Sequence, residues 1–198
     1  MAPRPAAADS RRVLCRSPLL LAALVFLPAC NGFREVVPGV YRSPQPAEDQ
    51  LFRRIAAYDL RTVVCLRGRS LPSSASERAT VGAGARFLAV PMSATRLPRP
   101  QTLHELWQVA ATAERPLLLH CRAGVDRTGL AAAVIVLHDT GDLELARDQL
   151  DLVPNGHTGL LGTGAMDDVL DLYEPYHRLM PFPQWIDEVY TPMREGKR

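Results

Sequence analysis

A cysteine and an arginine six positions apart, Cys121 and Arg127, are the residues whose types and spacing could do chemistry. A cysteine is a strong nucleophile as its thiolate, and a nearby positive charge or a helix N-terminus favours that form. The planar guanidinium of arginine can hold two oxygens of a phosphate group and stabilise the charge that develops on them. The pair therefore predicts a thiol that attacks phosphorus and an arginine that binds the phosphate.

The residues between and after this pair predict a phosphate-binding loop that joins a strand to a helix. The apolar run 117–120 precedes the cysteine, and a second apolar run begins at Gly129. A turn between a strand and a helix directs backbone N–H groups to one point, where they can bind an anion. Gly124 permits a backbone conformation that other residues would strain to adopt. The residues that we predict to bind phosphate are Arg122, Ala123, Gly124, Val125, Asp126 and Arg127.

The spacing of the cysteine and the arginine has little weight alone, because the sequence holds four cysteines and is rich in arginine. The alternative interpretation is a buried cysteine in an ordinary turn between a strand and a helix. The preceding His120, the glycine inside the loop and the Thr128 that follows favour the catalytic interpretation. The Thr128 hydroxyl would lie near the sulfur and help the thiolate to leave. We predict catalytic roles for Cys121, Arg127 and Thr128.

The segments around the loop alternate between strand and helix patterns. Short β-branched or apolar runs predict strands at 36–43, 62–66, 86–90 and 117–120. Apolar residues at helical spacing predict helices at 47–58, 102–114, 129–138, 142–150 and 166–173, the last of them the final helix. Residues 71–76 and 155–164 are predicted to be loops. This order predicts an α/β fold with a mainly parallel central sheet flanked by helices, with ligands at the carboxyl ends of the strands.

The first thirty residues predict an export signal. The segment is basic and has an uncharged apolar run of about eleven residues, which is shorter than the roughly 20 that span a bilayer. The alternative is a buried core helix. The segment Leu27-Pro28-Ala29-Cys30 resembles a bacterial lipobox, in which the cysteine is lipidated. Since Pro28 departs from that pattern, simple cleavage of the signal is a second alternative.

We therefore predict a signal peptide at 1–30, lipidation at Cys30 and a single domain at 31–198. The protein would be an exported bacterial lipoprotein, anchored in the membrane and facing the periplasm.

Composition excludes several classes of function. A chain of 198 residues with 47% hydrophobic and 22% charged residues has enough apolar material for a folded domain. The net charge is +2 with the basic excess before residue 30, so the body is near neutral and nothing supports nucleic-acid binding. No cysteine or histidine cluster predicts a metal site. Cys65 and Cys121 could form a reversible disulfide in an oxidising compartment, or Cys65 could be an inert buried thiol.

The loop sequence HCRAGVDRTG resembles the His-Cys-x5-Arg-Ser/Thr signature of the protein tyrosine and dual-specificity phosphatases. Two further segments resemble a bacterial dual-specificity-like branch: GVYRSPQP at 39–46 and TVVCLR at 62–67. The resemblance implies a dual-specificity-phosphatase-like fold. It implies a catalytic role for His120, which would tune the thiol and the loop indirectly; the alternative is a structural histidine. The resemblance also implies a phosphocysteine intermediate that water hydrolyses, without a metal or an organic cofactor. The partners implied are phosphorylated proteins, on tyrosine and on serine or threonine, or small phosphate esters.

The general acid of the family is missing from its usual position. Most relatives supply an aspartate from the loop that follows the strand before the long helix, and the matching residues 90–96 contain no carboxylate. Asp126, inside the phosphate loop, is the candidate that the resemblance implies. The alternative is that Asp126 orients Arg127 or caps the following helix.

Three further polar residues, Arg42, Arg67 and His157, lie outside the loop motif. Arg42 and Arg67 either face the phosphate site or form structural ion pairs. His157 lies in the predicted glycine-rich loop and is expected on the surface. Trp107 and Trp185 are expected in the core.

Other functions compatible with the loop fall into two classes. An inositol phosphate or phosphoinositide phosphatase would use the same chemistry. Arg122 suits it, although Val125 stands where such enzymes often have a lysine, and an exported enzyme would meet few phosphoproteins. A phosphate-binding module without catalysis would be expected to lack the cysteine or the arginine, and both are present. A rhodanese-like sulfurtransferase also uses a loop cysteine, but the arginine and threonine spacing fits it less well.

Overall fold

The computed structural model describes residues 32–67, 71–158 and 164–196. The predicted signal peptide at 1–30, its boundary with the domain and the predicted lipidation site Cys30 lie outside the described residues. Within the described ranges, no helix is both long and apolar enough to cross a lipid bilayer.

The described residues form one five-stranded sheet in the order β1-β2-β5-β3-β4. The strands are β1 (Arg34–Val37), β2 (Val40–Ser43), β3 (Thr62–Cys65), β4 (Arg86–Ala89) and β5 (Leu117–His120). β1 and β2 are antiparallel, and every other neighbouring pair is parallel. The predicted α/β fold with a mainly parallel sheet is confirmed.

The segment predicted as one interrupted strand, 36–43, folds instead as the β1–β2 hairpin. Gly39 has a φ of +75°, a left-handed conformation that favours glycine. Its N–H donates to Oε1 of Glu35 at 2.9 Å. The chain therefore reverses, and β2 runs beside β5 with Ser43 opposite His120. β2 and β5 therefore have their carboxyl ends at the same end of the sheet, where the phosphate loop begins.

Helices cover both faces of this sheet. They are α1 (Glu48–Tyr58), α2 (Leu71–Gly82), α3 (Pro100–Thr112), α4 (Asp126–Thr140), α5 (Leu143–Arg147), α6 (Asp167–Tyr173), α7 (Phe182–Trp185) and α8 (Thr191–Glu195). Short 3₁₀ segments follow α5 and α6, at Asp148–Leu150 and Glu174–Tyr176, and the π-helical segment Ile186–Tyr190 joins α7 to α8.

Two further secondary-structure predictions were wrong. Residues 71–76, predicted as a loop, form the first part of α2. Proline is tolerated in a first helical turn, where its missing N–H would have no partner, and the Thr80 hydroxyl donates to the Ser76 carbonyl at 2.6 Å. The helix at 166–173 is not the last one, because α7 and α8 follow it. This C-terminal segment is held by burial of its aromatic residues, among them the fully buried Trp185 that was expected in the core.

Side chains of β5 point alternately into two apolar clusters, one on each face of the sheet. Leu117, Leu119 and Cys121 belong to the larger cluster, together with residues of α3 and α4. Leu118 belongs to the smaller cluster with Leu51 of α1. Every residue of α4 from 128 to 137 is buried. The loop between β5 and α4 is therefore anchored at both ends by buried elements.

Candidate active site

The predicted phosphate loop turns from β5 into α4 around the sulfur of Cys121. Cys121 is only 2% exposed, and the N–H of Gly124 donates to its Sγ at 3.2 Å. α4 begins at Asp126, three residues earlier than predicted, so Arg127 and Thr128 lie in its first turn. The sulfur thus faces a backbone donor and the positive end of a buried helix, which both stabilise negative charge.

Gly124 is required by the position of the loop against β2. Its φ is +75°, and a Cβ added there would lie 2.4 Å from the backbone N of Pro44 and 2.5 Å from the carbonyl carbon of Ser43. No side chain fits at these distances without moving the backbone. The neighbouring Gln45 N–H donates to the Arg122 carbonyl at 3.2 Å, which fixes the loop further.

Arg42 binds the phosphate loop through the carbonyl groups of its backbone. The side chain is 1% exposed, and its Nη2 donates to the carbonyl oxygens of Gly124 and Val125 at 3.0 and 3.1 Å. Its Nη1 donates to the Gln149 carbonyl at 2.9 Å and to Oδ1 of Asn155 at 3.2 Å. The carbonyl and the N–H of a trans peptide point to opposite sides. Because two carbonyls of the loop point toward Arg42, the N–H groups of the same peptides point away from it.

This arrangement differs from both predictions for Arg42, which neither faces the phosphate site nor forms an ion pair with any described residue. Burial and the neighbouring Arg34 lower the pKa of Arg42 to about 10, so it remains charged at neutral pH. Arg67 instead donates to the Gln45 side chain and links the end of β3 to the segment after β2.

Arg127 and Thr128 present groups without protein partners. Among the described residues, Nε of Arg127 and Oγ1 of Thr128 are buried and form no hydrogen bond. A buried polar group without a partner is costly, and such groups are rare in folded proteins. The predicted contacts, of Arg127 with a phosphate oxygen and of Thr128 with the sulfur, would give each of these atoms a partner.

His120 is fully buried, and its ring lies at the end of β5 opposite Cys65 of β3. Burial lowers the pKa of His120 to about 4, so the ring is neutral at physiological pH. Its Nδ1 lies 3.4 Å from the Cys121 carbonyl oxygen. His120 therefore contacts Cys121 through the backbone carbonyl, a contact that both an indirect influence on the loop and a structural role would give.

His157, expected on the surface, is a buried residue that binds Asp126. It is 3% exposed, its Nδ1 lies 2.8 Å from Oδ1 of Asp126, and its Nε2 lies 2.7 Å from Oδ2 of Asp167. No side-chain cap is formed at the start of α4, and no bond joins Asp126 to Arg127 among the described residues. No periodicity or spacing in the sequence connects Asp126 with a histidine 31 residues away.

The residues after β4, where most relatives carry the general acid, border a cleft that the phosphate loop does not line. Residues that follow β4 line an open cleft of about 830 Å³, together with the start of α3 and α8. Arg96, Arg99 and Arg194 contribute positive charge to this cleft, and Glu105 contributes a negative one. No residue of the phosphate loop lines it.

Cys65 and Cys121 are not joined by a disulfide. Cys65 lies opposite His120 in the register of β3 and β5, whereas Cys121 belongs to the cluster of Leu117 and Leu119. Since successive side chains of a strand alternate between faces, the two sulfurs point to opposite sides of the sheet. A bridge between them would require the backbone to move.

Comparison with known proteins gives a consistent set of similarities. Residues 37–141 match the family described as "Polymorphic toxin system, DSP-PTPase phosphatase". The dual specificity protein phosphatase TpbA of Pseudomonas aeruginosa is 35% identical over 109 residues, which cover 54% of this chain and 46% of that protein. The match thus spans about half the length of this curated relative.

Solved structures show the same fold. The crystal structure of TpbA superposes with a TM-score of 0.50 at 27% identity, covering 82% of this chain and 91% of that one. The core catalytic domain of the PP-IP phosphatase Siw14 of Saccharomyces cerevisiae gives a TM-score of 0.55 at 20% identity, covering 84% and 93%. PTPMT1 gives 0.58 at 15% identity, covering 84% and 99%.

Proposed function

Because the chain belongs to the DSP-PTPase phosphatase family of polymorphic toxin systems, we propose that it hydrolyses phosphate monoesters through a phosphocysteine intermediate. Its substrates are phosphotyrosine and also phosphoserine or phosphothreonine. The observation that carries the proposal is the Gly124 N–H bound to the Cys121 sulfur at 3.2 Å, beside the N-terminus of the buried helix α4. This environment stabilises a thiolate at the floor of an anion-binding loop.

The reaction follows from the geometry in two steps. In the first, the Cys121 thiolate attacks phosphorus, the bond to the ester oxygen breaks, and the loop N–H groups and Arg127 hold the phosphoryl oxygens. In the second, water attacks phosphorus and the Cys121 sulfur leaves as a thiolate. The Thr128 hydroxyl, which is buried and has no other partner among the described residues, donates a hydrogen bond to that sulfur as negative charge returns to it.

Asp126 is the proposed proton donor to the ester oxygen. A bound phosphate dianion beside this carboxyl group favours its protonated form, as an acid requires. We expect Asp126→Asn to slow phenyl phosphate, whose leaving group needs a proton, by about 10²-fold. p-Nitrophenyl phosphate, whose leaving group departs unprotonated, should lose far less. The alkaline limb of the pH–rate profile should also flatten. Equal losses on both substrates would instead mark Asp126 as a scaffold residue.

An inositol phosphate or phosphoinositide phosphatase is the second candidate function. The observation that favours it is positive charge beyond the phosphate loop. Arg122 is exposed on the loop, and Arg96, Arg99 and Arg194 line the cleft after β4. Substrates with several phosphate groups would use such cations.

A substrate panel distinguishes the candidates. The purified protein would be assayed with a phosphotyrosine peptide, a phosphoserine peptide, phytate and a phosphoinositide, with Cys121→Ser as the blank. We expect the highest kcat/KM for the phosphotyrosine peptide. A preference for phytate or the phosphoinositide would establish the second candidate. Binding of phosphate without turnover of any substrate would contradict both and indicate a binding module.

The export signal supports a further proposal about location. The short apolar run and the lipobox-like Leu27–Cys30 segment are the basis for a mature protein that starts at Cys30 and is lipid-anchored on the periplasmic side of the membrane. Mass spectrometry of the membrane fraction should find a lipidated N-terminal Cys30. An unmodified Cys30, or soluble protein that retains Met1, would contradict the proposal.

A further inference from the structure

Three segments that are distant in sequence meet at one buried imidazole. His157 belongs to the segment after the 3₁₀ turn 148–150, Asp126 to the first turn of α4, and Asp167 to the first turn of α6. Each ring nitrogen has one carboxylate oxygen within 2.8 Å. The side chain of His157 is 2% exposed, whereas those of Asp126 and Asp167 are 23% and 35% exposed.

Each ring nitrogen of His157 lies against a carboxylate oxygen, which accepts hydrogen bonds, so the geometry favours the doubly protonated, cationic ring. Burial alone would lower the pKa of His157, but the hydrogen bonds to Asp167 and Asp126 outweigh it and raise the pKa above its usual value. The protonated ring donates Nδ1–H to Asp126 and Nε2–H to Asp167. The backbone N–H of His157 also donates to the Asp151 carbonyl at 3.4 Å, which restrains the segment that carries the ring.

Among the described residues, Asp126 is bound through one of its two carboxylate oxygens. Oδ1 accepts from His157, and among the described residues Oδ2 has no hydrogen-bond partner. Asp126 directly precedes Arg127 and lies five residues after Cys121. The carboxyl group therefore has one oxygen held by His157 and a second oxygen that no described residue binds, in the first turn of the helix that follows the phosphate loop.

We propose that His157 is a positioning residue for catalysis, which holds Asp126 as the general acid and stabilises its carboxylate once the proton has left. This role rests on the proposed phosphatase function. Asp167 acts one step further away, by accepting Nε2–H and fixing the orientation of the ring. The same Asp–His geometry orients a catalytic histidine in other enzymes, whereas here the histidine orients a catalytic carboxyl group.

The proton balance of both steps fits this role. As the bond between phosphorus and the ester oxygen breaks, the proton moves from Oδ2 of Asp126 to that oxygen, and the resulting carboxylate faces the His157 cation. In the second step, the attacking water gives its proton to Asp126 as its oxygen bonds to phosphorus. Asp126 thus gives one proton in the first step and takes one in the second, which returns it to its starting form.

The test compares His157→Gln with the wild type on two leaving groups. We expect kcat/KM for phenyl phosphate to fall about 10-fold or more, because that leaving oxygen needs a positioned proton donor. For p-nitrophenyl phosphate we expect a loss of less than about threefold, since its leaving group departs without a proton. In an Asp126→Asn background, His157→Gln should add less than about twofold, because it acts through Asp126.

Two further variants keep the result interpretable. His104→Gln is the matched control, since it breaks an exposed histidine–aspartate pair, His104–Asp187 at 2.8 Å, and should leave both activities unchanged. Asp167→Asn preserves side-chain shape and should show the same preference for loss on phenyl phosphate, to a smaller extent. It replaces His157→Gln as the test if thermal unfolding shows that the latter is poorly folded.

Equal losses of kcat/KM on both substrates would overturn the proposal, and so would a loss from His157→Gln that is as large in the Asp126→Asn background as in the wild type. Either result would mean that His157 only stabilises the fold. These outcomes are separable from failure of the proposed function. If the wild type hydrolyses p-nitrophenyl phosphate and Cys121→Ser does not, the phosphatase function stands whatever His157→Gln shows.

Discussion

Cys121→Ser is expected to abolish turnover, with a loss of at least about 10⁴-fold in kcat, because a serine hydroxyl at this position has no base to activate it. Among the described residues, no histidine side chain is hydrogen-bonded to Cys121, and the neutral His120 contacts only its carbonyl. Binding of inorganic phosphate should persist, since the loop N–H groups and Arg127 are unchanged. Initial rates with p-nitrophenyl phosphate and calorimetric titration with phosphate measure the two effects.

Cys65→Ser is the matched control, because Cys65 is also buried but points to the other face of the sheet. Its activity should stay within about threefold of the wild type, provided that the variant folds. Turnover by Cys121→Ser close to the wild-type rate would remove the assignment of the nucleophile.

Arg127→Lys is expected to lower kcat/KM by about 10²- to 10³-fold, because an ammonium group is a point charge and cannot replace a planar fork that contacts two phosphoryl oxygens. The Nε of Arg127 is buried and has no hydrogen-bond partner among the described residues. No structural hydrogen bond at Nε therefore competes with binding of a phosphoryl oxygen. Phosphate binding should weaken together with kcat, because the clamp contacts the phosphate group in both the bound state and the transition state.

Arg53→Lys provides the comparison, since Arg53 is an exposed residue of α1 paired with Asp49. Replacing arginine by lysine there should change kcat/KM by less than about twofold. A loss at Arg127→Lys of only that size would show that positive charge alone suffices and that the bidentate geometry is not used.

The loop between β5 and α4 and the fold class were predictable from the sequence because both depend on local patterns. The residues from His120 to Gly129 are contiguous, and one strand, one turn and one helix place them together. Alternating apolar runs indicated the parallel sheet, since buried strands and amphipathic helices each have their own periodicity. Boundaries were less accurate: α4 begins at Asp126 rather than at 129, and the proline-containing start of α2 was mistaken for a loop.

The partners of the loop were decided by the tertiary structure alone. Arg42 was expected either to face phosphate or to pair with an acid, and it instead holds the carbonyls of Gly124 and Val125 from behind. His157 was expected on the surface, and it is buried between Asp126 and Asp167. The sequence by itself determined the α/β order and the position of the loop that carries the proposed nucleophile and clamp, which periodicity and short motifs encode. Contacts between residues 31 or 82 positions apart depend on how helices and strands pack against each other, and no local pattern records that packing.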